Sequence, residues 1–459
     1  MKPGHKHFLK AALICCMFAA LGRAQSYVED SIDVGGAWVG SLAYNSRQDV
    51  MYGASESGVF FAISCDSNKL IKSLPLGGAF AVTYDSIDNK AYCVYDDSLL
   101  VVDGSSHSRV KSLAIGGIPT VAVWDQASDR VYVSCQDANK VAVVDCVTDS
   151  VLKYISVGAC PMKMYLNEPG RKLYVQDYDA GTVSVIDLTT DQVIKTLNVG
   201  GYPNVGYYCS GAGKFYSGGP VRQCVVISGQ SDDIVARIPL SGNADVVSLT
   251  GNHNGTLVYL GTSDGGIDDY VATVSTVNDS VQATAVVDGG PEALACYWGS
   301  GLVYCATVRR GWVYVLSSDG ALVLDSLQVG WSPFVFAQVP RHDRLYLGHL
   351  GSGFVYVLRD TSAGVLEWQP RSGFSDAIRV KPNPFTRSVT LVWNSATKLG
   401  DAVRVCAADG RLVREARMPK GQTRWVWDGL NSAGLPTPPG VYVLETGAGE
   451  RAKVVKLRQ

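Results

Sequence analysis

Short apolar runs alternate with turn-forming residues along this chain. The clearest instance is residues 156–197, SVGACPMKMYLNEPGRKLYVQDYDAGTVSVIDLTTDQVIKTL. Met162 to Leu166 leads into Asn-Glu-Pro-Gly, Lys172 to Gln176 into Asp-Tyr-Asp-Ala-Gly, and Thr182 to Leu188 into Thr-Thr-Asp. The fourth run, Gln192 to Val199, stops at Gly200-Gly201. Four runs of this length with tight turns between them predict a small antiparallel meander.

The pattern recurs. Its punctuating glycines are Gly35, Gly77, Gly116, Gly158, Gly200, Gly242, Gly289 and Gly330. Four-stranded units repeating every ~40–45 residues are the mark of propeller blades. The period-2 alternation inside each unit excludes a solenoid of helices. A tyrosine returns in the second strand of every unit: Tyr52, Tyr92, Tyr132, Tyr174, Tyr216, Tyr259, Tyr304 and Tyr346. Its apolar body suits the layer between sheets, with a hydroxyl that reaches the edge. Asp103, Asp145 and Asp187 follow third strands, where a carboxylate can accept from the amides of the next turn. Each glycine is expected to supply positive φ at the turn into an inner strand. Each unit has two apolar faces that only its neighbours cover, so the ring must close. Asp30 to Val34 has the character of a fourth strand without its first three, and is expected to complete the last blade. Gly364 to Trp368 is the competing closing strand. Eight blades are expected, with seven as the alternative.

Leu173-Tyr174-Val175, Val131-Tyr132-Val133-Ser134, Thr182 to Asp187 and Asp191 to Ile194 resemble the YVTN family of β-propeller repeats. The resemblance spans roughly residues 27–368. It implies the blade fold and is uninformative about activity.

After Trp368 the period stops. Residues 369–377 form a linker, and residues 378–459 hold about seven short strands, the pattern of a small Ig-like sandwich. Pro382-Asn383-Pro384-Phe385, Asp409 to Val413, Trp427 to Asn431, Gly440-Val441-Tyr442 and Lys453 to Leu457 resemble two related modules. These are the C-terminal sorting domain of type IX secretion cargo and the Ig-like domain of flagellar hook-capping proteins. The resemblance implies passage across an outer membrane, with release or surface attachment. A plain adhesive or spacer module is the alternative.

The N-terminus supports export. Lys2, His5, Lys6, His7 and Lys10 form a positive start, Phe8 to Leu21 is otherwise apolar, and Gly22-Arg23-Ala24 offers small residues for cleavage, so residues 1–24 are expected to be a signal peptide. No other segment is apolar enough to cross a membrane, and the expected address is extracellular or the outer cell surface. Export permits disulfides, and Cys296 with Cys305 is the best-placed pair among the ten Cys outside the signal. Hydrophobic content of 47% with 18% charged residues excludes a disordered chain. Residues 376–459 carry 14 Lys and Arg against 7 Asp and Glu, which leaves the propeller region acidic. Nucleic acid is therefore not an expected partner.

Candidate chemistry is sparse. Outside the expected signal, which holds His5 and His7, no HxH, HExxH, paired CxxC, GxSxG or phosphate loop occurs, so no catalytic, cofactor-binding or metal residue is expected. His107, His253, His342 and His349 are scattered, and turn or surface roles are expected of the last two. Asp264, Asp268 and Asp269 match no calcium-loop spacing and no Glu follows at the right distance, so an ordinary solvated loop is expected. Glu168 and Glu292 sit near strand ends, where a lactonase-like site would place acids. The expected function is a non-catalytic binding scaffold whose loop face meets a protein or glycan. Its C-terminal module would engage export machinery. A propeller hydrolase or lyase is the alternative.

Overall fold

A computed structural model describes residues 26–36, 38–265 and 269–360. In the C-terminal unit it describes 378–381, 385, 387–393, 402–407, 412–417, 424–432, 434–437, 440–446 and 451–456. The expected signal peptide, the linker, Gly364 to Trp368, Asp268 and the turn at Asp409 lie outside these residues. The chain divides into two compact units, Met1–Leu366 and Glu367–Gln459.

The first unit is an eight-bladed β-propeller of four-stranded antiparallel sheets. Blades 1 to 7 take consecutive strands within residues 39–75, 79–114, 119–156, 161–198, 205–239, 245–286 and 291–328. Blade 8 takes three strands from 333–360, and its fourth is β1 (Ser26–Asp33), which pairs antiparallel with β32 (Phe354–Asp360). The closing strand is thus the one expected from its isolated pattern. Blade 4 holds β14 (Pro161–Asn167), β15 (Lys172–Asp177), β16 (Thr182–Asp187) and β17 (Gln192–Asn198). These match the four apolar runs to within one residue at every end.

Apolar clusters lie between blades. Tyr132, Val141 and Val143 of blade 3 meet Met164, Leu173 and Val175 of blade 4. Tyr174 and Val185 of blade 4 then meet Phe215 and Val225 of blade 5. Every second-strand tyrosine is fully buried, and its hydroxyl reaches the next blade. Tyr92 donates to Asp149 at 2.8 Å, Tyr132 to Asp191 at 2.7 Å, Tyr174 to Asp232 at 3.2 Å and Tyr216 to Asp279 at 2.9 Å. Each aspartate also pairs with a basic residue of the tyrosine's blade: Lys90, Arg130, Lys172 or Lys214. The third-strand aspartates behave as expected, with Asp187 Oδ1 accepting from the amides of Thr189 and Thr190.

The punctuating glycines divide into two groups. Gly35, Gly116, Gly200, Gly242, Gly289 and Gly330 have positive φ, as expected. Gly77 and Gly158 do not. There a Cβ would collide with the carboxylates of Asp96 and Asp177, so close approach is what requires glycine.

The second unit has two sheets, one of residues 378–381, 389–393 and 424–427, and one of residues 402–407, 412–417, 440–446 and 451–456. Trp427 is fully buried between them, with its ring edge-on to Phe385 and Tyr442. Its indole donates to Leu430 O at 2.9 Å. Lys456 Nζ, also buried, donates to Gly429 O and Thr437 O at 3.0 and 2.7 Å, tying the loop after Trp427 to the last strand.

Candidate functional site

The first strands of neighbouring blades touch one another around the ring and wall its axis. The half of this channel nearest their starting ends holds a cavity of about 710 Å³. Val121, Met164, Val246, Leu249 and Phe334 give it an apolar wall. Its charged lining groups among the described residues are Lys163, Asp245 and Glu292, from blades 4, 6 and 7.

Lys163 is the middle member of Met162-Lys163-Met164. It projects where water can touch it, yet protein surrounds it. This burial holds its ammonium below the ordinary lysine range, with Glu56 acting in the opposite sense. No hydrogen bond or ion pair holds its Nζ among the described residues. Glu292, the second residue of β26 (Pro291–Cys296), is half-buried. Burial pushes its carboxyl up, Arg309 opposes this, and Asp269 adds to it. The arrangement suits a ligand with an apolar body and an acidic or hydrogen-bonding head. The sequence reading singled out Glu292 and passed over Lys163. The signal was there: lysine stands where the counterpart strands of other blades carry small or apolar residues, such as Ser41, Ala81, Ser248, Ala293 and Val335.

At the same end of the ring, three aromatic side chains stand out on the connections into inner strands, outside the cavity lining. Trp38, Tyr202 and Trp331, leading into blades 1, 5 and 8, are 52%, 50% and 72% exposed. Trp38 has φ 68, a costly backbone state for a bulky residue.

The residues weighed from sequence disperse. Glu168 is exposed in the turn after β14, at the opposite end of the ring from Glu292, so the two do not converge. His342 does sit in a turn, its Nε2 2.5 Å from Asp49. His349 departs from expectation. It is fully buried, its ring lies 4.6 Å from that of Tyr356, and neither ring nitrogen has a hydrogen-bond partner. Burial lowers its pKa to about 4. His107 Nδ1 lies 3.0 Å from the Tyr52 hydroxyl, and His253 stacks on Trp298 at 4.0 Å. Asp264 is exposed as expected, but Asp269 is fully buried. It accepts from the amides of Gly289 and Gly290 and pairs with Arg309, which anchors the loop.

The pairing of Cys296 with Cys305 is overturned. Cys296 faces Val303 and Cys305 faces Leu294 in register, and both are free and buried. The seven other cysteines described are also free and buried, small hydrophobes in a β core.

Comparison with known proteins adds the fold and nothing finer. No family model and no curated protein matches the sequence. Among 1756 solved chains that match, one is the crystal structure of the computationally designed Ika8 protein, 14% identical with a TM-score of 0.60. The match covers 73% of this chain and 99% of that one. At this identity the likeness shows fold alone.

Proposed function

We propose that the protein is a non-catalytic, exported binding propeller that takes a protein or glycan ligand at the channel mouth. Its C-terminal unit would serve export or surface attachment. The observation that carries this reading is the exposure of Trp38, Tyr202 and Trp331 on connections around the mouth. Exposed flat aromatic faces suit stacking on sugars or packing under a protein partner. The channel beneath offers two lining carboxylates, Asp245 and Glu292, rather than the converging acids of a lactonase-type site. The YVTN resemblance agrees with a scaffold role, and the resemblance of residues 378–459 to sorting domains agrees with export.

A glycan and protein binding screen on the full chain tests the ligand. Hits that survive Trp38→Ala, Tyr202→Ala and Trp331→Ala together would sink the face, and turnover of a lactone abolished by Glu292→Gln would sink the non-catalytic reading. For the address, deletion of residues 376–459 should leave the protein in the periplasmic fraction. If the truncated chain reaches the surface in full amount, the unit is not an address.

A further inference from the structure

The turns at the other end of the ring bring polar and charged side chains together at several blade junctions, and these junctions handle them differently. The last residue of a blade's first strand meets the last residue of the next blade's first turn. At the junction of blades 3 and 4, Asp125 is buried and Arg171 grips both its oxygens. The pair holds the Asp125 carboxyl below its ordinary range despite burial. At the junction of blades 1 and 2 the same places hold Asn45 and Asn89, a neutral pair with Nδ2 of Asn45 3.3 Å from Oδ1 of Asn89. At the junction of blades 8 and 1, Val339 replaces the acid, and Asp49 takes the His342 ring.

The junction of blades 2 and 3 has no such answer. Asp85, fully buried, stands in the place of Asp125, and Asp129 stands in the place of Arg171. Both Asp129 and Arg171 are left-handed, φ 51 and 53, so the two turns present these side chains from the same backbone state. One oxygen of Asp85 accepts from the amides of Ile87 and Asp88 at 2.7 and 3.1 Å. The other, Oδ2, is buried without a hydrogen-bond partner. Lys90 is engaged elsewhere, 3.0 Å from Asp149, 3.5 Å from Asp88 and 2.6 Å from the Cys146 carbonyl. The third neighbour is Cys146, free and fully buried in the third turn of blade 3. Ligand atoms of Asp85, Asp129 and Cys146 all lie within 4.8 Å of one another.

We propose that Asp85, Asp129 and Cys146 form a site for a divalent cation of the zinc class, which does at this junction what the Arg171 guanidinium does at the next. A buried carboxylate with an uncommitted oxygen beside a second carboxylate is relieved by a positive partner, a proton or a cation, and the thiol at the same point favours the cation. Two carboxylate oxygens and one sulfur within this span suit zinc, whereas calcium and magnesium take oxygen alone. This revises the expectation of no metal ligands. The three residues are far apart in sequence and form no motif, and only the alignment of blades shows an acid where the next blade has arginine.

The test uses the full chain, kept reduced and stripped with a chelator. Zinc is titrated against a chromophoric competitor, and cadmium is titrated while its sulfur charge-transfer absorption is followed. One equivalent should bind with that absorption. Asp85→Asn and Asp129→Arg should each weaken binding about tenfold or more, and Cys146→Ser should remove the absorption. Asp129→Arg recreates the neighbouring ion pair, so the metal-free variant should melt no lower than the stripped parent, which separates lost binding from lost folding. No stoichiometric binding overturns the proposal. So does binding unchanged in both aspartate variants, which would place the metal on other groups such as His5, His7, Cys15 and Cys16. Binding without the sulfur signal overturns it too.

Discussion

Blade 4 and blade 8 are built on one plan and held to their neighbours by different means. Blade 4 is continuous in sequence, and its Tyr174 and Lys172 share Asp232 of blade 5, with the Lys172 nitrogen at 2.6 Å. Blade 8 borrows its outer strand from the N-terminus. Its Tyr346 donates to Asn68 of blade 1 at 2.6 Å, a neutral residue that leaves Arg344 without an aspartate across the junction. The borrowed strand supplies the charge instead. Glu29 of β1 takes Arg344 at 2.6 and 2.7 Å, and Arg344 also reaches the Cys65 carbonyl of blade 1. Closure therefore joins three pieces of chain at one guanidinium, where the regular junctions join two. The blades differ again at the last residue of their second strands, Asp177 in blade 4 and His349 in blade 8, both fully buried.

The comparison breaks most severely if β1 is removed. Without residues 26–33, blade 8 loses its outer strand and Arg344 its partner. The thermal transition should lose cooperativity or fall by more than about 10 °C. An unchanged melt would mean that the ring does not depend on its closing strand.

Two buried titrating groups should give the blades opposite pH responses. His349 is held at about 4, below its ordinary 6.5, so the unfolded chain takes up a proton first as pH falls. Stability is therefore lost on acidification through that window, by up to about 3 kcal/mol. Asp177 accepts from Ser184 and Thr182 at 2.7 and 2.8 Å, yet burial raises its carboxyl to about 6 from 3.8. The native state here binds the proton first, so stability falls as pH rises from 3.8 to 6, again by up to about 3 kcal/mol. In urea unfolding at several pH values, His349→Leu should flatten the acid side. Asp177→Asn should raise stability near neutrality and match the parent at the acid end. Parallel curves for parent and variants would contradict both assignments.

Arg344→Met should cost about 2–3 kcal/mol by chemical denaturation, because it strands the Cys65 carbonyl and leaves Glu29 only the longer contact to Arg359 at 3.7 Å. Arg344 also holds the Glu29 carboxyl below its ordinary range, so the deficit should shrink as that acid is protonated. In blade 4 the smallest change, Tyr174→Phe, should cost about 1 kcal/mol, since Asp232 keeps Lys172. Equal losses for these two variants would erase the distinction between the junctions.

Much of this molecule is legible in the chain. Blade 4 reads strand by strand because turn residues and period-2 alternation are local signals, set by neighbours in sequence. The isolated Asp30 to Val34 run announces the closing strand because a fourth strand without three partners needs another sheet. The candidate site is less legible. Lys163 gives a weak signal as a charge in an apolar strand, but its place in the channel depends on eight strands meeting around an axis. The burial of His349 and Asp269, the freedom of Cys296 and Cys305, and the meeting of Asp85, Asp129 and Cys146 leave no local trace.

The sequence by itself determined the strand order, the blade period and the need for ring closure, because each rests on local turn chemistry and on apolar faces that must be covered. Only the tertiary structure decided which charges meet. Partners such as Tyr132 and Asp191 stand 59 residues apart, one blade removed. A carboxylate's partner across a junction is set by how adjacent sheets stack, so Asp125 finds an arginine where Asp85 finds another acid.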